Sequence, residues 1–157
     1  MAIAFFSTWT TYGSWLPGDP RGWFESGCGL REPDAMRRFE AELIMTGEAI
    51  TLNRVQRQIV ETTITQHCTI RGWFLHAVNC RSNHVHAVVS APDCDIEIPR
   101  EQFKAWCSRR LNETGRREDW WAERGWDEYI DDDEALAAVI AYVIEGQDWQ
   151  SDPSSLR

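Results

Sequence analysis

The 157-residue chain fits one domain, and 43% hydrophobic with 26% charged residues is the make-up of a folded globular protein, which excludes disordered, collagen-like and coiled-coil chains. No run approaches the roughly 18 apolar residues of a membrane span, and Met1 to Phe6 carries neither a basic n-region nor a small-residue cleavage site, which argues against secretion. Sixteen basic residues against 25 acidic ones give a net charge of −9, a balance that by itself opposes binding to phosphate backbones.

Ala2 to Thr11 is rich in β-branched and aromatic residues and reads as an opening strand. Tyr12 to Gly29 places five glycines and two prolines around Trp15 and Trp23 and reads as a structured loop. Asp34 can cap a helix over about 35–45, with Met36, Phe39 and Leu43 on one stripe. Thr51 can cap a second that runs to about Cys68, with Leu52, Val55 and Ile59 inward and Arg54, Arg57 and Glu61 outward. Trp73 to Asn79 and His84 to Ser90 read as two strands of a hairpin. Pro99 suits the first turn of a helix to about Glu113, with Phe103, Trp106, Cys107 and Arg110 along one side. A short strand over Gly125 to Ile130 and a last helix over Asp133 to Glu145, striped by Leu136, Val139, Ile140 and Val143, complete the chain. This order predicts an α+β fold, a split βαβ sandwich with a four-stranded antiparallel sheet and helices packed on it, as a single domain over residues 1–157.

The acidity is local. Nine acids and no Lys or Arg lie between Asp127 and Asp152, so residues 1 to 126, with 16 acids and 15 bases, are close to neutral. The richest basic stretch runs from Arg100 to Arg124 and includes Lys104, Arg109, Arg110, Arg116 and Arg117; it is either a phosphate track or a solvated helix face. Arg21, with Trp15 and Trp23, can clamp a base, unless that loop folds on its own side chains. Cysteines 28, 68, 80, 94 and 107 are odd in number and form no C-x-x-C, which predicts neither a disulfide framework nor a zinc ribbon and fits a reducing cytoplasm.

Two patterns carry chemistry. His84 and His86 are two residues apart on a strand and project to one side, a ready pair of metal ligands or else two half-buried histidines with ordinary hydrogen bonds. Tyr142 lies on the last helix and shares a face with Ala135, Ala138 and Glu145, distinct from the Leu136/Val139/Val143 stripe; it is a nucleophile beside a metal-bound phosphate or an amphipathic core tyrosine. His67 and His76 are read as structural. A zinc hydrolase built on Cys80, His84 and His86 is a further alternative.

The segment Arg71-Gly-Trp-Phe-Leu-His-Ala-Val-Asn-Cys-Arg-Ser-Asn-His-Val-His-Ala-Val-Val, with Phe103 to Leu111 and Trp121 to Ile130 after it, resembles the single-tyrosine transposases of the HUH class, the insertion-sequence 200 type and the REP-associated tyrosine transposases. The resemblance covers most of the chain and implies a ferredoxin-like HUH nuclease domain. It also implies single-stranded DNA as substrate, usually folded into a hairpin, with no membrane and a homodimer left open. His84 and His86 would hold Mg²⁺ or Mn²⁺, and Tyr142 would form a 5′-phosphotyrosine bond in DNA cleavage and strand transfer. A domesticated relative that binds structured single strands without cleaving them is the alternative. The family's third ligand, Gln or Asn four residues after the tyrosine, falls on Gly146 here. Helix geometry then favours Glu145, whereas a left-handed Gly146 would swing Gln147 toward the metal; Gln147 is the choice made here.

Overall fold

The computed structural model describes residues 2–13, 23–25, 29–31 and 49–146. Its strands are β1 (Ala4–Thr11), β2 (Trp23–Glu25), β3 (Gly29–Arg31), β4 (Phe74–Cys80), β5 (His84–Ser90) and β6 (Trp121–Ile130); its helices are α1 (Arg54–Arg71), α2 (Glu97–Asn112) and α3 (Asp133–Ala141), the last running directly into a π-helical turn, Tyr142–Gly146. Four strands form one sheet in the order β4-β5-β1-β6, and every neighbouring pair is antiparallel. The units β1-α1-β4 and β5-α2-β6 interleave, because β5 lies between β4 and β1. This is the expected ferredoxin-like α+β arrangement. β2 and β3 form a small separate hairpin within the stretch read as loop. The helix expected over 35–45, with Asp34, lies outside the described residues, as do Trp15 and Arg21.

Local chemistry explains the element ends. α1 is capped by Asn53 and not by Thr51: the Asn53 side chain accepts from the Gln56 amide at 2.8 Å and the Gln56 side chain accepts from the Asn53 amide at 2.8 Å, a reciprocal box. The inward face of the helix is Val60, Thr63, Ile64, His67 and Cys68; Leu52 is buried ahead of the helix, while Val55 is 62% exposed. Gly72, at φ 74°, closes the helix in the left-handed conformation. α2 buries Pro99, Phe103, Cys107 and Leu111, leaving Trp106 and Arg110 on its exposed flank. β6 begins four residues before the predicted strand because the Trp121 indole packs against the core and donates to the Lys104 carbonyl at 3.0 Å.

The sheet separates two apolar layers. On one face α1 and α2 cover Trp9, Val60, Ile64, Val85, Val89, Phe103 and Leu111, each fully or almost fully buried. A side chain of this kind contributes roughly 1.5–3 kcal/mol by its burial. On the other face a smaller cluster joins Ala4, Phe6, Ala77, Val88 and Ile130 to Val143, with Leu136, Val139, Ile140 and Tyr142 packed against it. Among the described residues no helix is long and apolar enough to cross a membrane.

Candidate active site

The side chains singled out in the sequence meet on the second face. The β1–β5 register pairs Thr8 with His86 and Thr10 with His84, so both histidines project from the side that α3 and its π turn cover. Their ring centroids are 4.9 Å apart. Tyr142 presents its edge to His86 at 5.7 Å, and Phe6 lies between the two elements, stacked on His86 at 5.4 Å and edge-on to Tyr142 at 6.3 Å. The two faces expected on the last helix are therefore continuous: Tyr142 and Val143 both reach the sheet, while Ala138 and Glu145 are exposed.

The two imidazoles differ in their surroundings. His84 Nδ1 lies 2.7 Å from the Asn83 side-chain oxygen; an amide oxygen only accepts, so the proton sits on Nδ1 and the lone pair on Nε2. His86 is buried, and neither ring nitrogen has a hydrogen-bond partner among the described residues. Burial first, then the charges of His84 and Arg81, lower its pKa from 6.5 to about 3, so the ring is neutral near pH 7. A neutral, buried imidazole with unsatisfied nitrogens beside a second imidazole of fixed tautomer fits a divalent cation's donor requirements. No third His, Cys, Asp or Glu joins them among the described residues. Burial also raises the Tyr142 pKa above 10, so the phenol keeps its proton unless a positive charge lies near.

One residue of the site carries no sequence signal in its own right. Asn79 pairs with His86 across β4 and β5, and its amide donates to the Val143 carbonyl at 3.0 Å, tying the π turn to the strand beside the histidines. Only the alternation of β4 could have placed it on the histidine face. The helix widens into a π turn that begins at Tyr142 itself and ends at Gly146. Glu145 lies in this turn and is exposed; Gln147 is outside the described residues.

The zinc alternative fails on geometry. Cys80 pairs with Val85 and belongs to the layer beneath α1 and α2, on the opposite side of the sheet from His84 and His86, and burial pushes its thiol pKa up. The basic residues are divided. Arg100 forms an ion pair with Asp127, and the Lys104 ammonium donates to the Ala122 and Glu123 carbonyls at 2.8 and 3.1 Å, so both brace α2 against β6. Arg116 bonds Glu118 at 2.6 Å, Arg109 lies 4.7 Å from the Trp106 ring centre, and Arg110, Arg117 and Arg124 are exposed. His67 bonds Gln102 at 2.7 Å and His76 bonds Ser90 at 2.7 Å, in keeping with structural roles.

Solved structures with this ferredoxin-like fold include transposases. One is a REP-associated tyrosine transposase bound to a REP hairpin, with 13% identity and a TM-score of 0.59 over 96% of this chain and 70% of that one. Another is a crystal structure assigned to a transposase of Deinococcus radiodurans R1, with 12% identity and a TM-score of 0.52 over 93% of this chain and 92% of that one. At these identities the likeness shows the fold. A search of curated proteins finds no match. Residues 46–143 match the family model of IS200-like transposases, and the chain belongs to that family, whose work is DNA transposition.

Proposed function

We propose that the chain is a DNA strand transferase in which Tyr142 is the nucleophile and His84 and His86 hold a divalent cation, Mg²⁺ or Mn²⁺. The observation that carries this reading is the meeting of His84, His86 and Tyr142 on one sheet face, 4.9 and 5.7 Å apart by ring centres. Tyr142 Oη forms a bond to the scissile phosphorus as the bond from phosphorus to the 3′-oxygen breaks; the phenol proton leaves to solvent and the departing strand ends in a 3′-hydroxyl. The phosphodiester energy stays in the phosphotyrosine link, so reversal onto another 3′-hydroxyl needs no nucleotide cofactor. When bound, the cation supplies Lewis-acid polarisation of the phosphate and favours the phenolate. Asn83 sets the tautomer of His84, Phe6 holds the plane of His86, and Asn79 fixes the turn that bears the tyrosine.

For the third ligand we keep Gln147, the amide one residue past the position that the family uses, ahead of the exposed Glu145. The substrate is single-stranded DNA that folds into a hairpin, by analogy with the hairpin-bound relative.

The test is a covalent one. Labelled single-stranded DNA from the region flanking the gene, incubated with Mn²⁺ and run under denaturing conditions, gives a protein–DNA adduct with the wild type and none with Tyr142→Phe. An adduct that survives in Tyr142→Phe overturns the mechanism; binding without any adduct assigns the chain to the non-cleaving relatives, a reading to which Gly146 at the family's third-ligand position points.

A further inference from the structure

We infer that the groove between α1 and α2, on the side of the sheet away from His84, His86 and Tyr142, is a second DNA contact that holds an unpaired stretch of the same strand. This rests on the reading that the substrate is DNA. Two adjoining cavities of ≈ 500 and ≈ 380 Å³ lie between the helices and share Thr63, Gln66 and Arg110. Together they follow α1 from Val55 to Arg71, about 24 Å at ~1.5 Å per residue.

The lining has the chemistry of a single-strand site. Among the described residues the larger cavity has no carboxylate; Arg71 and Arg110 supply its charge and Trp106, 40% exposed, its aromatic surface. The guanidinium of Arg109 lies 4.7 Å from the Trp106 ring centre, which adds a further cation at the rim. The floor is preorganised, because His67 is 7% exposed and is fixed by its 2.7 Å bond to Gln102. The smaller cavity continues with Gln58, Thr62 and Thr114, neutral groups suited to base edges, and has Glu113 as its one acid among the described residues. Charge follows the same division: Glu61, the sole acid of α1, accepts from the Cys80 amide at 2.9 Å and is bound to β4, while Arg100 and Lys104 are tied to β6. What is left along the groove is Arg71 and Arg110 against Glu113, a net positive charge. An unpaired strand matches it, since stacking on Trp106 needs an open base face and the arginines meet phosphates on both sides of that base. Within a paired duplex the phosphates are present but the base faces are closed by stacking.

The experiment measures equilibrium binding, in EDTA so that no chemistry occurs, of a hairpin oligonucleotide with single-stranded flanks from beside the gene. Trp106→Ala and Arg110→Ala, both exposed positions, are compared with wild type over a range of salt. Each is expected to raise Kd about tenfold or more, Arg110→Ala also lowering the salt slope by roughly 0.7. Arg110→Lys should recover the slope while recovering only part of the affinity. Unchanged Kd and slope in the Ala variants, with DNA still bound, overturn the groove and leave the strand-transferase reading standing. A wild type that binds no DNA and forms no adduct overturns both. Loss of self-association in Arg110→Ala at unchanged DNA affinity gives the face to a second copy of the chain and also overturns the proposal.

Discussion

His86 is the residue at which function and stability are expected to oppose each other. Its ring is 6% exposed and both nitrogens lack hydrogen-bond partners among the described residues. A buried unsatisfied polar group costs about 1–3 kcal/mol, whereas the stack on Phe6 at 5.4 Å returns roughly 0.5–1.5 kcal/mol. Leucine is close to histidine in volume and has no polar atoms. His86→Leu should therefore stabilise the metal-free protein by the difference, about 1 kcal/mol, or about 2–4 °C in Tm for a chain of this length. Acid should widen the gap. The folded pKa of about 3 lies below the 6.5 of the unfolded chain, so between those values the unfolded state binds the extra proton. Wild-type stability then falls by about 1.4 kcal/mol per pH unit as pH drops through that window, relative to the variant, and this contribution is flat above it. Thermal melts in EDTA at pH 5 and 7.5 measure both effects. Mn²⁺ should raise the wild-type Tm and leave the variant unmoved, because only a protein that binds the ion in its folded state is stabilised by it. A His86→Leu protein that melts below wild type without metal would refute the premise that the imidazole is held there at a cost.

Asn79→Ala should accelerate amide exchange across Tyr142–Gly146 by about fivefold, the equivalent of one net hydrogen bond, and slow adduct formation while leaving exchange in α1 unchanged; unaltered exchange in the turn would show that Val143 is held by other means. Gly125→Ala should lower the unfolding free energy measured in urea by about 1–3 kcal/mol, since its new methyl would lie 2.5 Å from Arg100 Cδ and 2.7 Å from the Thr8 carbonyl; an unchanged free energy would mean that Arg100 and its ion pair move aside freely. In calorimetry with Mn²⁺, Gln147→Ala should weaken binding and Glu145→Ala should not, and the reverse order would transfer the third-ligand role to Glu145.

Much of the site was legible because strand chemistry is periodic. Two histidines at spacing two share a face wherever the strand pairs, and an Asn or Ser loop between two β-rich runs identifies the hairpin. The start and phase of α1 were harder to read: Thr51 and Asn53 are both competent caps, and only the reciprocal partner at Gln56 distinguishes them, while Val55, expected in the core, faces solvent because Val60, Ile64 and Cys68 are the residues that enter it. The β6 boundary was misplaced because Gly125 reads as a strand start; in the structure it lets Arg100 cross the strand to Asp127. The π turn had no residue-type signature, since Tyr-Val-Ile-Glu-Gly is as compatible with α as with π hydrogen bonding. Lys104 and Arg100 looked like members of a basic track, because sequence spacing does not reveal which cations have a carbonyl or carboxylate within reach.

The two apolar layers differ in weight, and this has an evolutionary consequence. Trp9, Phe103, Val60, Ile64 and Leu111 hold α1 and α2 to one face without help from any residue of the proposed chemistry, while Tyr142 and the histidines belong to the thinner layer opposite. Loss of the polar groups of the thin layer leaves the contacts of the larger layer in place, and replacement of His86 is expected to relieve a cost. A lineage released from selection for strand transfer would then lose its chemistry first and its shape last, passing through soluble intermediates that still present the α1–α2 surface. Domestication of such a protein into a binder requires no refolding, only the decay of one side of a sheet.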